Sequence, residues 1–68
     1  MSNGKEKIFS CPDCGEPNKA YPPDDTHDTV SLDEKYARDR AEGIVIKTRH
    51  ECEECIYPIS LYWYRPKL

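Results

Sequence analysis

The chain has little from which to build a hydrophobic core. Leu, Ile, Val and Phe supply 11 of its 68 residues, below the roughly one-fifth under which disorder becomes the expectation. A mean hydropathy of -0.90 and a charged fraction of 34% press the same way. No apolar run approaches the ~20 residues of a membrane span. Met1 to Lys7 lacks the apolar stretch of an export signal. An intracellular, cytoplasmic chain with reduced thiols is therefore expected. Excess positive charge is also missing: the net charge is -3, which excludes nucleic-acid binding by bulk electrostatics. It is too small, however, for self-repulsion to hold the chain open. One domain spanning 1–68 is the expected organisation, with no room for a large catalytic cleft. A chain so short of apolar residues needs a cross-link, and its four cysteines are the candidates.

Charge is unevenly distributed. Residues 24–43 carry seven acids against Lys35, Arg38 and Arg40, a net of -4, whereas 44–68 are net +1 and 1–23 neutral. Residues 1–6 are expected to be disordered. Lys7-Ile8-Phe9-Ser10 reads as a short strand. Gly15 to Asp28 reads as turns that build no element, because Pro17, Asn18, Pro22, Pro23 and paired aspartates favour turn conformations. Ser31-Leu32-Asp33-Glu34 matches a capping box, with Ser31 as N-cap and Glu34 reaching back. It predicts a helix over Leu32–Glu42, closed by Gly43. Glu34/Arg38, Lys35/Asp39 and Arg38/Glu42 would be its i,i+4 pairs, and Leu32 and Tyr36 its docking residues. So short a helix is marginal alone, and the competing reading is a frayed, solvated segment. Either way, residues 16–43 form an acidic insertion.

Ile44-Val45-Ile46 is β-branched and predicts a strand running through Arg49. Ile56 to Tyr64 predicts another. Pro58 removes a donor, so that strand lies at an edge or begins at Ile59. Beyond two cysteine pairs no internal repeat is evident.

Those pairs are Cys11-Pro12-Asp13-Cys14-Gly15 and Cys52-Glu53-Glu54-Cys55, separated by 37 residues. Two intervening residues let one tight turn present both thiolates to a single ion, at about 2.3 Å each, and two such turns complete a tetrahedron. Pro12 pre-sets φ for its turn. Gly15 supplies the positive φ that the residue after the second cysteine often needs. Ile56 holds the matching place in the second turn, and a β-branched residue disfavours that conformation. The second turn is thus expected to differ or to run straight into strand. The separation exceeds the usual 15–20 residues of compact double C-x-x-C sites, which marks the segment between as inserted.

With these two motifs, each feeding a β segment, the chain resembles the zinc-ribbon superfamily, including small stand-alone proteins carrying C-P-x-C-G. The resemblance covers residues 7–16 and 44–64. It implies a small metal-stabilised β fold: one structural Zn²⁺ on Cys11, Cys14, Cys52 and Cys55 beneath a three-stranded antiparallel sheet, with one short helix in the insertion. It also implies a partner, since such proteins commonly bind nucleic acid or dock on transcription, translation or replication proteins.

Other uses of the cysteines are disfavoured. A thioredoxin-like pair needs one C-x-x-C in a βαβ context. Disulfides need an oxidising compartment. A rubredoxin-type iron carrier normally repeats C-P-x-C-G in its second turn, which Cys52–Ile56 does not. Four thiolates leave no open position for a catalytic water. His27 and His50 are weaker ligand candidates, and Glu51, Glu53 and Glu54 read as solvated charge. Nothing composes a nucleophile, base and oxyanion site, so a non-catalytic module is expected.

Alternation assigns faces. Ile44, Ile46, Ile59, Leu61 and Trp63, with Ile8 or Phe9, are the expected core. Lys47, Arg49, Tyr62 and Tyr64 share the opposite face, with Arg65 and Lys67 nearby. Cations that track phosphates and rings that stack bases suit single-stranded nucleic acid. The plainer alternative packs both tyrosines under the helix through Tyr36. Two functional expectations follow: an adaptor docking on a protein through the aromatic C-terminal strand, or a single-stranded nucleic-acid binder. Residues Tyr57 to Leu68 could also add a strand to a partner sheet.

Overall fold

The computed structural model describes residues 6–67. It is small and β-rich: five strands in two antiparallel sheets and one short helix. Strands β1 (Lys7–Ser10) and β2 (Pro17–Ala20) form one hairpin, with Phe9 opposite Asn18. The second sheet has the order β3-β5-β4, built from β3 (Thr29–Ser31), β4 (Ala41–Glu51) and β5 (Pro58–Pro66). Helix α1 (Glu34–Arg40) joins β3 to β4. No helix among the described residues is long and apolar enough to cross a membrane. The expectation for residues 1–5 lies outside the described residues; Glu6 is within them and pairs with Lys19 at 3.7 Å.

Strand β5 is central, with one face covered over Ile59–Trp63 and the other at Tyr62 and Tyr64. On one face Phe9, Cys11, Cys52, Ile59, Leu61 and Trp63 form the main core, with Ala20, Val30 and Ile46 against it. On the other, Ala37 and Ala41 pack on Tyr64, flanked by Val45 and Tyr62. This explains how so few aliphatic residues suffice. Three large alternate residues of one strand carry the core, and the cysteines are part of it.

Several expectations are corrected here. Residues 15–28 do contain an element, β2, because Pro17 begins it and so costs no ladder donor within it. The third strand of the main sheet is β3 and not the Lys7–Ser10 strand, which pairs with β2 instead. The helix starts later and is shorter. Asp33 is its N-cap, with Oδ1 accepting from the Lys35 and Tyr36 amides at 3.0 and 3.4 Å. Ser31 ends β3, and its hydroxyl accepts from the Asp33 amide at 3.0 Å. Ala41 is the C-cap, and the chain turns directly into β4. Gly43 (φ +104°) lies instead in an irregular stretch where the β4–β5 ladder shifts between Ala41 and Val45.

Docking also differs. Ala37 is fully buried against Tyr64, whereas Leu32 and Tyr36 are exposed. Ala37 is the buried residue of this seven-residue helix, and its methyl packs with Ala41 on the Tyr64 ring. Tyr36 carries the Arg40 guanidinium over its ring at 4.5 Å. Of the three expected ion pairs only Glu34–Arg38 forms among the described residues, at 2.8 Å; Glu42 pairs with Arg65 at 3.6 Å. Ile44 leaves the expected core at 68% exposure, because it falls in the irregular stretch. Of the two N-terminal candidates Phe9 is buried and Ile8 is not. Pro58 is the first residue of the central strand, opposite Glu51 on one side and beyond the reach of β3, which covers only Tyr62–Tyr64, on the other, so its missing donor costs no ladder bond there.

Candidate metal centre

Each cysteine pair closes a hairpin. Ser10 faces Pro17 across the first and Glu51 faces Pro58 across the second, so six residues form each tip. The backbone bonds are the same in both. The Gly15 amide donates to the Cys11 carbonyl at 2.9 Å, and the Ile56 amide to the Cys52 carbonyl at 3.0 Å. The Cys11 amide donates to Glu16 at 2.9 Å, and the Cys52 amide to Tyr57 at 3.1 Å. Gly15 has φ +80° and Ile56 φ +60°. The expectation that the second turn differs is therefore corrected. Ile56 adopts the left-handed conformation despite its branched side chain, at a cost on the order of 1–2 kcal/mol. A strained residue persists where its surroundings over-determine it, and here the hairpin closes on both sides.

The two tips bring all four cysteines together, with sulfurs within 4.8 Å of one another. Cys11 Sγ lies 3.7 Å from Cys55 Sγ, and Cys14 Sγ 3.7 Å from Cys52 Sγ. A tetrahedron with metal–sulfur bonds of about 2.3 Å has edges of about 3.8 Å. The donor set therefore fits one ion. Cys11 and Cys52 are buried, Cys14 and Cys55 lie on the outer side, and the Asp13 amide donates to Cys11 Sγ at 3.4 Å.

The sulfurs differ electrostatically. The Cys55 amide, then that of Glu54, and then the Asn18 side chain bring the Cys52 thiol down to about 6, against the opposing effect of burial. Desolvation pushes Cys55 up to about 12, and the neighbouring sulfurs add to it; the residue is exposed, but its sulfur faces the other three. Cys52 thus holds a thiolate easily and Cys55 does not, unless a cation sits among the sulfurs.

Asn18 was not legible as a site residue. It is 1% exposed and its four contacts tie both tips together. Nδ2 donates to the Glu16 carbonyl at 3.0 Å and to Cys52 Sγ at 3.5 Å. Oδ1 accepts from the Glu53 amide at 3.1 Å and contacts His50 Nε2 at 3.2 Å. The available signal was the longer repeat C-x-x-C-x-x-P, Cys11 to Pro17 and Cys52 to Pro58. It places a strand, and hence Asn18, after the first tip. Neither histidine joins the sulfurs. His50 meets Asn18 and stands edge-on to Phe9, with centroids 5.1 Å apart. His27 meets Asp24 at 3.0 Å. Glu51, Glu53 and Glu54 are exposed.

The expected binding face is only partly assembled. Lys47 lies opposite Tyr62 and Arg49 opposite Ser60, and both cations are exposed. Tyr64, at 4% exposure, is buried beneath α1 and offers no ring for stacking. Arg65 alternates to the other side of β5 and meets Glu42. Trp63 is buried, with its indole donating to Thr48 Oγ1 at 2.8 Å. The aromatic C-terminal strand is the central strand of the sheet, paired with β4 along one side and with β3 at Tyr62–Tyr64 on the other.

Comparisons with protein-family models, with curated proteins and with solved structures each return no match to this chain.

Proposed function

We propose that the chain is a zinc-ribbon-like binding module in which Cys11, Cys14, Cys52 and Cys55 hold one structural Zn²⁺, and that it acts without catalysis by docking on another protein. The observation that carries the metal reading is the pairing of two tips with one hydrogen-bond pattern, whose sulfurs lie at tetrahedral spacing. Zinc suits four thiolates in a closed tetrahedron, and such a site contributes folding energy outright. Here it ties β1–β2 to β4–β5 in a chain otherwise poor in apolar residues. With four protein ligands no position is left for a reacting water, which supports a non-catalytic role. The resemblance to zinc ribbons supports a partner within transcription, translation or replication.

Native mass spectrometry of the purified chain should show one zinc per chain, and chelation should collapse amide dispersion and far-UV dichroism. A chain that stays folded without metal overturns the structural role. Iron would make the protein red, and zinc leaves it colourless. Cobalt substitution should give the intense absorption of a tetrahedral tetrathiolate site.

A further inference from the structure

Strand β4 ends the main sheet. One side of it pairs with β5 from Val45 to Glu51. Among the described residues no strand lies on its other side, and no backbone bond outside the sheet uses Ile44–His50. Such an edge presents unpaired N–H and C=O groups that an extended chain completes.

The side chains along that edge say what kind of chain. Lys47 and Arg49 are two apart and share a face. Both are exposed, and among the described residues neither has an ion-pair partner. On the same face, over the β4–β5 pair and inward of the edge, lies an open groove of about 460 Å³ lined by Lys47, Thr48, Arg49, Pro58 and Ser60, with no acid in the lining. The Thr48 hydroxyl is engaged by Trp63 on the opposite face, so Thr48 lines the groove with main chain. A second copy paired antiparallel about Thr48 sets Lys47 against Arg49, and like charges directly opposite are destabilising. A nucleic-acid strand has no amides for the edge, and Tyr64, its expected stacking ring, is buried.

We propose that the open edge of β4 takes an extended acidic peptide by strand addition, with carboxylates at alternate positions beside Lys47 and Arg49. Main-chain bonds supply the attraction common to any strand, and the two cations select its sign and register. The proposal rests on the reading of the chain as a protein-docking module and names the surface and the partner chemistry.

The test uses the zinc-loaded full chain, ¹⁵N-labelled, at low salt. The probe is the capped peptide Thr-Glu-Val-Glu-Val-Thr. Its controls are a Lys-for-Glu version, a version N-methylated at alternate residues, and a short oligothymidylate. The expected result is amide shifts and slowed exchange over Val45–His50 with the acidic peptide alone. Affinity should fall about tenfold or more in the Lys47→Glu/Arg49→Glu pair, and the N-methylated peptide should lose binding. Equal binding of the N-methylated peptide overturns strand addition. Shifts confined to α1 or β3, or tighter binding of the oligothymidylate, overturn the surface or the partner class. A folded, zinc-loaded chain that binds no peptide overturns this inference and leaves the metal reading intact, whereas failure to take up zinc overturns the metal reading beneath it.

Discussion

Gly15 and Ile56 hold the same place in two turns that share one hydrogen-bond pattern, one with φ +80° and the other with φ +60°. Only the glycine adopts that conformation without strain. Ile56 is 61% exposed, so its side chain returns little burial for the strain it carries.

Replacing Ile56 by Asn should therefore stabilise the zinc-loaded chain. Asn tolerates the left-handed region, and the gain is about 1 kcal/mol, a rise of a few degrees in Tm. Gly15→Val should do the reverse. No atom lies within 4 Å of a Cβ built at Gly15, so its cost is backbone strain of ~1–2 kcal/mol. Thermal melts of both variants check the pair, and a destabilised Ile56→Asn contradicts the strain.

Asn18→Ala should weaken zinc binding 10- to 100-fold, as loss of a group that orients a ligand does, and cost about 1–3 kcal/mol through the unpaired Glu53 amide. Asn18→Asp should be no better. One carboxylate oxygen can still accept from Glu53, but the other then faces the Glu16 carbonyl and Cys52 Sγ. Competition titration with a chromophoric chelator measures both. An Asp variant binding zinc like the parent contradicts the assigned contacts.

Zinc affinity should fall with falling pH, since protons compete for the thiolates. The metal-free chain is unfolded, so its thiols titrate near the ordinary ~8.5, and loading one ion should release close to four protons at pH 7 and markedly fewer at pH 9. Calorimetry in buffers of different ionisation enthalpy counts the protons, and a count that stays the same across that range contradicts thiolate ligation.

The Asp24 turn should loosen only in strong acid. The His27 amide, then its ring, and then Thr26 bring the Asp24 carboxyl down to about 2 from 3.8. A depressed carboxyl pKa contributes stability that is present above about 3.8 and is lost as pH falls through about 2, below the range in which thiolates hold the metal. The amide shifts of Thr26 and His27 in the loaded chain should therefore show no carboxyl titration from pH 8 down to the loss of zinc, and Asp24→Asn should displace both at pH 7.

Tyr64→Ala should be costly, about 3–5 kcal/mol, because its ring fills the space beneath Ala37 and Ala41. Tyr62→Ala, at a half-buried site, should cost clearly less. Denaturant melts of the loaded variants give the ordering, and equal losses contradict the placement of α1.

Much of the site was legible because it is local. Each C-x-x-C sets its own turn, and the alternation of Ile59, Leu61 and Trp63 marks one buried face whatever lies against it. Strand β2 was hidden because Pro17 and Asn18 are turn formers by propensity and become strand only by pairing with β1. The helix start was displaced by two residues because Ser31 and Asp33 both make good caps, and the pairing of Ser31 with Tyr62 uses the first in the sheet.

The sequence by itself determined the four cysteines that could hold a metal and the turn of the first tip, since two residues between cysteines and a glycine after them constrain the chain over a few bonds. The tertiary structure alone decided that β5 is central, that Tyr64 is buried and Ile44 exposed, that Asn18 joins the tips, and that β4 lies at an edge of the main sheet among the described residues. Those outcomes depend on which distant segment covers which face, and burial is a property of the assembled layers rather than of any run of residues.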